Sequence, residues 1–406
     1  MATVALETAH QAPVVDWASD FDHTDPVWVD NPFPIWDELR NSCPVAHSDR
    51  YGGTWLPTSH ETVSQVAYDT ENFTSWSVVV SNGRPPEDNR PIGGAPPITS
   101  DPPFHAVARR LLLPAFGPKV IAALEPQIRQ LCRKLLDELE GQEVVDAAAD
   151  YAGHIPPDVI ARMLGLPIED GELFREFVHG TLENVAAPVE QRHEFFGRFD
   201  QYIGKQIQSH IDEPKDDLIG FLLNVEIMGS KLEPSHIGGT IILLLVAGID
   251  TTWSAIGASI WHLANNPQDL ERLRNEPELW DTAVEEFLRA YAPVTMARLV
   301  AQDHNFHGCP MKKDDWVLLP FPAANRDPLA FPDADKVILD RAENRHAAFG
   351  LGIHRCIGSN LARLELRVAL QEWVARYPKF SVANPAAVRW AAGQVRGPRE
   401  LPITIG

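Results

Sequence analysis

The sequence has few cysteines, and their spacing pairs none of them. Cys43, Cys132, Cys309 and Cys356 are the four cysteines among 406 residues. Their scattered positions fit neither a disulfide framework nor a zinc site. Unpaired thiols are typical of a reducing compartment, so the expected location is the cytoplasm.

Positive charge and long apolar runs are also scarce. There are 56 Asp and Glu against 35 Lys and Arg, a net charge of -21, which argues against binding nucleic acid or an anionic membrane. The longest apolar run, residues 241–249, is about half of the ~20 residues that span a bilayer. Residues 1–30 are acidic and have no apolar core, so neither a signal peptide nor a membrane anchor is expected.

The chain is nonetheless apolar enough, at 44% hydrophobic residues, to build a large core. Helical periodicity continues without an obvious linker, so we expect one large domain over residues 31–406 after a loose lead-in over residues 1–30. Two short strands are expected around Tyr51, and a hairpin is expected from Phe306 to Leu319.

One cysteine lies in a glycine-rich loop directly before an amphipathic helix. Residues 349–358 read Phe-Gly-Leu-Gly-Ile-His-Arg-Cys-Ile-Gly, and Ile357, Leu361 and Leu364 follow at helical spacing. Backbone N–H groups and the positive end of a helix dipole stabilise a thiolate at such a position. Cys356 therefore suits ligation of a soft metal centre, of which haem iron is one.

Two other interpretations of this loop are weaker. A lone Cys-x-Gly usually marks a structural cysteine in a turn, but the full run is far more specific. A dinucleotide-binding loop needs a third glycine at a spacing that is missing after Gly350 and Gly352. Residues 340–348 are also too polar for the buried strand that should precede such a loop.

The run resembles the haem-binding loop of the cytochrome P-450 family, the haem-thiolate monooxygenases, and the resemblance covers most of the chain. It implies a mainly α fold with small β-sheets, the cytochrome P-450 fold. It also implies haem b (iron protoporphyrin IX) as the cofactor, with Cys356 as the metal ligand and Phe349 beside the haem. Gly350, Gly352 and Gly358 would let the backbone approach this large flat group.

A histidine and an arginine lie four residues apart on a predicted helix. His105 and Arg109 therefore share a face, where they could hold a carboxylate, although such a pair is more often solvated. The family resemblance implies that both contact the haem propionates. It implies the same contact for Arg298, in an extended segment, and for His354, in the cysteine loop.

A long, almost wholly apolar helix is predicted over residues 234–265, and from Ala247 its middle reads Ala-Gly-Ile-Asp-Thr-Thr. Buried polar groups without partners cost about 1–3 kcal/mol each, and a mid-helix glycine costs roughly 1 kcal/mol relative to alanine. The helix could deform there to leave a groove for a diatomic ligand, or a polar cluster could merely bend it. The resemblance implies O2 activation, with Asp250 and Thr251 as the catalytic acid–alcohol pair and Ala247 and Gly248 beside the haem.

Glu286 and Arg289 lie three residues apart on a further predicted helix and face the same way. Such a pair is usually a surface ion pair worth under ~1 kcal/mol. The resemblance implies instead a buried pair that braces the haem-side core, which is a structural role without catalysis.

A long loop without periodicity spans residues 81–103, and loops of this length are usually functional or mobile. The resemblance implies that this loop covers a substrate pocket and that residues 186–188 break a mobile lid. The predicted pocket residues are Val78, Ile92, Ile98, Leu243, Leu244, Ala247, Val294, Thr295, Met296 and Val395. This apolar set predicts a small or medium hydrophobic substrate.

Electrons are expected from a ferredoxin and an NAD(P)H-dependent ferredoxin reductase. The sequence has no Cys-x4-Cys-x2-Cys run, and no flavin-binding motif follows Cys356. The chain is then either a stand-alone enzyme of bacterial type or a haem domain cut from a fusion. Nine basic residues either form a patch that attracts an acidic ferredoxin or are scattered and solvated. They are Arg109, Arg110, Lys119, Arg129, Arg133, Lys134, Arg355, Arg363 and Arg367.

The expected activity is therefore that of a monomeric monooxygenase, which inserts one oxygen atom from O2 by hydroxylation or oxidative dealkylation. Two alternatives stay open: a peroxygenase driven by hydrogen peroxide, and a non-enzymatic haem sensor or carrier. The Asp250–Thr251 pair argues against the peroxygenase, which has no need of a proton relay for O2. The apolar pocket fits a sensor or carrier less well.

Overall fold

The computed structural model describes residues 12–81, 83–84, 90, 92–183, 189–227, 229–391 and 393–405. Helices dominate this part of the chain, and its strands are short. The prediction of a mainly α fold with small β-sheets is confirmed. The helices are α1 (Pro26–Asp30), α2 (Phe33–Ser42), α3 (His60–Tyr68), α4 (Phe104–Leu112), α5 (Pro118–Ala122), α6 (Glu125–Glu138), α7 (Ile155–Leu164), α8 (Gly171–Leu182), α9 (Val189–Asp212), α10 (Leu218–Asn224), α11 (Pro234–Asn265), α12 (Pro267–Asn275), α13 (Trp280–Ala290), α14 (Phe321–Ala324) and α15 (Ser359–Arg376).

The strands are β1 (Val45–Ser48), β2 (Thr54–Pro57), β3 (Phe73–Thr74), β4 (Val144–Asp146), β5 (Glu226–Ile227), β6 (Ser230–Lys231), β7 (Thr295–Val300), β8 (His304–Phe306), β9 (Cys309–Met311), β10 (Trp316–Pro320), β11 (Phe380–Val382), β12 (Arg389–Trp390), β13 (Pro398–Glu400) and β14 (Pro402–Ile405). The largest sheet has the strand order β1-β2-β10-β7-β3. Its strands β7 and β10 are antiparallel, with Arg298 opposite Val317.

Helix α11 passes through the core and contacts α7, α8, α9 and α15. Pro234 stands in its first turn, where a missing N–H costs nothing, and a proline follows its last residues. Its buried residues lie on several sides, as expected of a helix enclosed by other helices. The helix is long and apolar enough to cross a membrane, although 61% of its most apolar window is buried in the protein. The longest apolar run in the sequence was too short to predict a membrane-spanning helix, because Asp250 and the threonines after it interrupt the run.

The N-terminal segment is not loose where the structure describes it. Phe21 and Trp28 are buried in an apolar cluster with residues of α2. The Arg50 Nε atom donates to Asp20 Oδ1 at 2.7 Å. The expected loose lead-in over residues 1–30 is therefore wrong from Phe21 onward, while the division of the chain at residue 31 stays a prediction.

Two predictions for loops had different outcomes. The expected hairpin from Phe306 to Leu319 is wrong, because β8 and β9 close a hairpin at His307 and Gly308, whereas β10 pairs with β2 and β7 of the large sheet. The predicted lid break at residues 186–188 lies outside the described residues.

Candidate functional site

The cysteine loop leads directly into α15. Gly350 and Gly352 both have a φ of +69°, a left-handed conformation that other residues rarely adopt. The Cys356 N–H donates to the Phe349 carbonyl oxygen at 2.7 Å, which closes the turn. The Gly358 N–H donates to the cysteine sulfur. The loop thus presents the Cys356 side chain to the cavity described below.

The Cys356 side chain is exposed to the cavity, and the protein around it still raises the pKa of the thiol above its ordinary value by removing water from it. The Gly358 N–H and the charges of Arg109, Arg355 and Arg363 oppose this shift. Positive surroundings of this kind favour the thiolate, which is the form that binds metals. In the described residues, no group of three or more His, Cys, Asp or Glu side chains could hold a metal ion. A metal at Cys356 would therefore take its other ligands from a cofactor.

The glycines of the loop serve different purposes. Gly350 lines the cavity, as predicted. A Cβ atom on Gly352 would lie 2.4 Å from the Ala67 carbonyl oxygen, so this glycine permits close packing on α3 and not on a flat group. Gly358 is not among the described residues that line the cavity, but its N–H donates to the Cys356 sulfur, and its contact with the cofactor stays a prediction.

An apolar cavity with an empty volume of about 1200 Å³ lies beside Cys356 and extends to Thr251 on α11. The thiol and the middle of the long helix thus border one space. The predicted site residues that line it are Ile98, Arg109, Leu243, Leu244, Ala247, Thr251, Val294, Met296, Arg298, Phe349, Gly350, His354 and Cys356. Thr252, Ala255 and Leu288 also line it and were not predicted from the sequence.

Four predicted pocket residues lie outside the cavity lining: Val78, Ile92, Thr295 and Val395. Thr295 is excluded because successive side chains of a strand point to opposite faces, and Met296 and Arg298 occupy the cavity face of β7. Val395 forms a β-bridge with Val294 and is buried in the main core.

The backbones of Val78, just before the loop, and of Ile92, within the loop, accept hydrogen bonds from other parts of the chain. The Val78 carbonyl oxygen accepts from the Ala297 N–H and from the Gln394 side-chain amide, both at 3.1 Å. The Ile92 carbonyl oxygen accepts from the Ser100 hydroxyl at 2.5 Å. Ile98 is the one predicted loop residue that reaches the cavity among those described.

Two histidines and two arginines converge at one edge of the cavity. The His105 ring on α4 lies 4.3 Å from the His354 ring, measured between centroids. The Nε2 atoms of both rings are buried without a hydrogen-bond partner. Arg298 is only 4% exposed and donates to the Ala297 carbonyl oxygen at 2.8 Å. Within the described residues, neither Arg298 nor Arg109 has a carboxylate at ion-pair distance.

These groups shift one another's pKa in the direction expected of excess positive charge. Burial, with the charge of Arg109, lowers the pKa of His105 to about 4. Burial, followed by the charges of Arg298, His105 and Arg109, lowers the pKa of His354 to about 2. Both rings are therefore neutral near pH 7 and keep nitrogens that can hydrogen-bond. The cluster is suited to a ligand that carries carboxylates, as haem does on its propionates.

Thr251 and Asp250, the predicted acid–alcohol pair, lie on different sides of α11. Adjacent helix residues point about 100° apart. The Thr251 hydroxyl donates to the Ala247 carbonyl oxygen at 2.8 Å on the cavity side. Asp250 is 1% exposed and lies on another side, where its Oδ1 accepts from Arg399 Nη2 at 2.5 Å.

Arg399 joins two carboxylates. Its Nε donates to Glu183 Oε1 at 2.6 Å, so Asp250 shares the guanidinium with the residue that follows α8. The second oxygen of Asp250, Oδ2, is buried without a partner. Burial raises the pKa of Asp250, and it outweighs the attraction of Arg399. Arg399 was not predicted, because it follows Asp250 by 149 residues and no local pattern links the two.

Gly248 is not among the described residues that line the cavity, and its contact with the cofactor stays a prediction. A Cβ atom at this position would lie 3.3 Å from Ile160 Cγ1 on α7. The glycine therefore allows two helices to approach each other closely. Helix α11 also continues without interruption through this region, and the expected deformation is not seen.

Glu286 and Arg289 are fully buried, which excludes a surface ion pair. Arg289 Nη2 donates to Glu286 Oε1 at 2.8 Å, and Nη1 donates to the carbonyl oxygens of Asn325 and Ala334 at 2.8 Å. Arg341 Nε adds a second cation to Glu286 at 2.9 Å. The pair thus ties α13 to the chain that leads to the cysteine loop.

Comparison with known proteins gives concordant results. The family model for cytochrome P450 matches residues 181–382. The polyketide biosynthesis cytochrome P450 PksS of Bacillus subtilis (strain 168) is 30% identical over 92% of this chain and 96% of that protein. Vitamin D(3) 25-hydroxylase of Pseudonocardia autotrophica is 32% identical over 93% of this chain and 94% of that protein.

Solved structures agree with these relatives. CYP109E1 from Bacillus megaterium, solved in complex with testosterone, matches with a TM-score of 0.84 and 32% identity over 93% of this chain and 98% of that chain. The residues that the family model matches include the long helix and the cysteine loop. The chain therefore belongs to the cytochrome P450 family of haem-thiolate monooxygenases.

Proposed function

We propose that this cytochrome P450 inserts one oxygen atom from O2 into a C–H bond of a small or medium hydrophobic molecule. One observation carries the proposal: a single apolar cavity is bordered by Cys356 and by Thr251. Haem b, held by the Cys356 thiolate, supplies the activation of O2. A relative named as a hydroxylase and a neighbour solved with testosterone support hydroxylation of a hydrophobic substrate.

Arg109, Arg298, His105 and His354 are proposed to bind the two propionates of the haem. The support is that the described residues offer no acidic partner to either arginine and no hydrogen-bond partner to the two Nε2 atoms. Phe349, Gly350 and Ala247 would contact the ring itself, since they line the same space.

Thr251 and Asp250 are proposed to deliver protons to the O2 side of the cavity. The Thr251 hydroxyl borders the cavity and can hold water there. Asp250 lies behind it, and its raised pKa allows it to carry a proton at a higher pH than an ordinary aspartate. Transfer from Asp250 toward the cavity requires its pair with Arg399 to loosen.

The substrate is proposed to be held by apolar contact. Ile98, Leu243, Leu244, Val294 and Met296 carry no polar group and line the cavity. Such a lining penalises charged molecules, because a buried charge without a partner is costly. A terpenoid, an alkyl ether or an aromatic molecule fits this chemistry.

Electrons are proposed to come from a ferredoxin and its NAD(P)H-dependent reductase, in a cytoplasmic, monomeric enzyme. The four cysteines are free, which suits a reducing compartment. The nine basic residues expected to attract the ferredoxin do not all carry a free charge. Five of them pair with acidic residues: Arg129, Arg133, Lys134, Arg363 and Arg367. Arg110, Lys119 and Arg355 are exposed and without an acidic partner in the described residues.

Replacing Cys356 with alanine tests the central assignment. The dithionite-reduced protein with carbon monoxide should give the long-wavelength Soret band of thiolate-ligated haem, and Cys356→Ala should lose it, because no other thiol borders the cavity in the described residues. Cys309→Ala is the matched control and should keep the band. A short-wavelength band that persists unchanged in Cys356→Ala would contradict the oxygenase assignment and favour a haem carrier or sensor.

Replacing Thr251 with alanine tests the proton route. Product formed per NAD(P)H should fall roughly tenfold, with hydrogen peroxide released instead, because the hydroxyl that positions protons is lost. Thr251→Ser keeps the hydroxyl and should retain most of the coupling. Unchanged coupling in Thr251→Ala, or equal turnover with added hydrogen peroxide alone, would favour a peroxygenase.

A further inference from the structure

A charged pair lies directly behind the cysteine loop. Arg363 on α15 donates from Nε and Nη2 to the two carboxylate oxygens of Glu285 on α13, at 2.6 and 2.8 Å. The His346 Nε2 atom lies 3.2 Å from Glu285 Oε2. The Arg363 guanidinium also stacks on the Phe349 ring, with its carbon 4.4 Å from the ring centroid. The two-bonded geometry and the stack hold the guanidinium in one place.

This guanidinium is linked to the proposed ligand through Phe349. The Phe349 carbonyl oxygen accepts the Cys356 N–H, and both side chains line the cavity. Arg109, Arg355 and Arg363 are the arginines whose charge favours a thiolate at Cys356. Among the described residues, Arg363 alone of these three has a carboxylate partner. Glu285 is therefore the counter-charge that limits how positive the surroundings of the sulfur become.

The pair is only partly shielded from solvent. The Arg363 and Glu285 side chains are 30% and 29% exposed, and both line a surface groove between α5, α6, α13 and α15. A bracing ion pair between α13 and α15 would explain the hydrogen bonds. It would not explain the stack on the one aromatic residue whose backbone bonds the cysteine. At this depth charges are weakened by solvent but still act over several ångströms.

We propose that Glu285 and Arg363 are positioning residues that set the electrostatic potential at the Cys356 sulfur and thereby the reduction potential of the bound haem. The inference rests on the proposed ligation of haem by Cys356. Reduction adds an electron, so extra positive charge near the sulfur favours the reduced form and extra negative charge favours the oxidised form. The two members of the pair therefore act in opposite directions.

Reduction potentials of the purified, haem-loaded protein test the proposal. Glu285→Gln should favour reduction, because Arg363 loses its counter-charge, whereas Arg363→Gln should oppose it, because Glu285 then keeps only His346 beside it and no permanent cation. Each should change the ratio of reduced to oxidised protein at a fixed potential by on the order of three- to tenfold, and tenfold is 59 mV for one electron. The double variant, which is neutral like the pair, should return close to the wild-type ratio.

If Arg363→Gln loses haem, the charge-conserving variant Arg363→Lys keeps the proposal testable. The reduction potential of Arg363→Lys should remain near that of the wild type. Glu372→Gln is the matched control. Glu372 also bridges two helices, from α15 to Arg129 on α6 at 2.7 Å, but it does not touch the loop. Glu372→Gln should lower the free energy of unfolding without changing the reduction potential of the haem.

The outcomes separate the two claims. Opposite shifts for Glu285→Gln and Arg363→Gln, with the thiolate-type carbon monoxide band intact, support the inference. Shifts of the same sign, or none, with that band intact would overturn it and leave the pair as a structural brace. A wild-type protein without that band would overturn the ligation by Cys356 and the inference with it.

Discussion

Buried polar atoms without partners have different consequences in two of the places where they occur. Beside the cavity, the Nε2 atoms of His105 and His354 lie where a propionate would satisfy them. Behind the site, Glu365 Oε2 on α15 is also unpartnered, and the residue is 2% exposed. No cation opposes this burial, which raises the pKa of Glu365 to about 8. The carboxyl group is therefore protonated at neutral pH and behaves as a buried neutral acid.

The free energy of unfolding should fall as the pH rises from about 4.5, the ordinary pKa of glutamate, to about 8, the folded value. Over this range the folded state binds the Glu365 proton more tightly than the unfolded state, so stability decreases with pH. Glu365→Gln should remove a few kcal/mol of this dependence. Denaturant titrations of both proteins at several pH values measure it.

Glu372, about two helical turns further along α15, is the matched control. Arg133 and Arg129 hold its pKa below the ordinary value against burial. The contribution of Glu372 to the free energy of unfolding is therefore present above the unfolded pKa and is lost as the pH falls through the folded pKa. This pH dependence is opposite to that of Glu365. If Glu365→Gln kept the wild-type slope above pH 4.5, Glu365 would be ionised in the folded protein.

At the scale of elements, the sequence predicted correctly the features that residues close together in the chain determine. Helix α11 has the predicted bounds, because Pro234 and the Asn-Asn-Pro sequence after its core are start and stop signals. The cysteine loop was predicted as a unit, because its glycines, its cysteine and the hydrogen bond that closes it, from Cys356 to Phe349, lie within ten residues of sequence. The segment that leads into β7 gave an error at Thr295, because Val294, Thr295 and Met296 were assigned to one pocket although successive residues of a strand face opposite ways.

Other features could not be predicted, since they depend on elements that are distant in sequence. A mid-helix glycine has the same local cost whether the helix bends or packs closely, and only the position of Ile160 shows that Gly248 packs. Asp250 and Thr251 were predicted to act as a pair, but the sequence did not show that Asp250 binds Arg399, which it shares with Glu183, on another side of α11. Buried ion pairs of this kind depend on the tertiary fold and leave no periodic signal.

At the scale of the whole molecule, the charge of -21 is not evenly compensated. Several arginines on the cysteine side, such as Arg129 and Arg367, are neutralised by nearby carboxylates. The remaining free cations there, Arg110, Lys119 and Arg355, are few. Attraction of an acidic ferredoxin would therefore depend on individual residues and not on a broad basic surface.

Lys119→Gln should slow electron transfer from an acidic ferredoxin roughly two- to fivefold at low salt, because a free charge is lost from the docking side. The difference from wild type should vanish near 1 M salt, where the screening length is about 3 Å. Stopped-flow reduction across a salt series measures both. Lys134→Gln, whose charge already faces Glu138 at 3.6 Å, is the control and should have a small effect. Equal salt slopes for all three proteins would exclude steering by Lys119.

Helix α11 has a further consequence for the newly made chain. It emerges from the ribosome before α15, one of the helices that cover it, has been synthesised. During that interval a segment apolar enough for a bilayer is exposed to the machinery that sorts proteins to membranes. Asp250, buried in the finished protein, then marks the segment as a poor membrane span, since a carboxylate at the centre of a bilayer is costly. The residue proposed for proton delivery thus also helps to keep the nascent helix in water until its partners arrive.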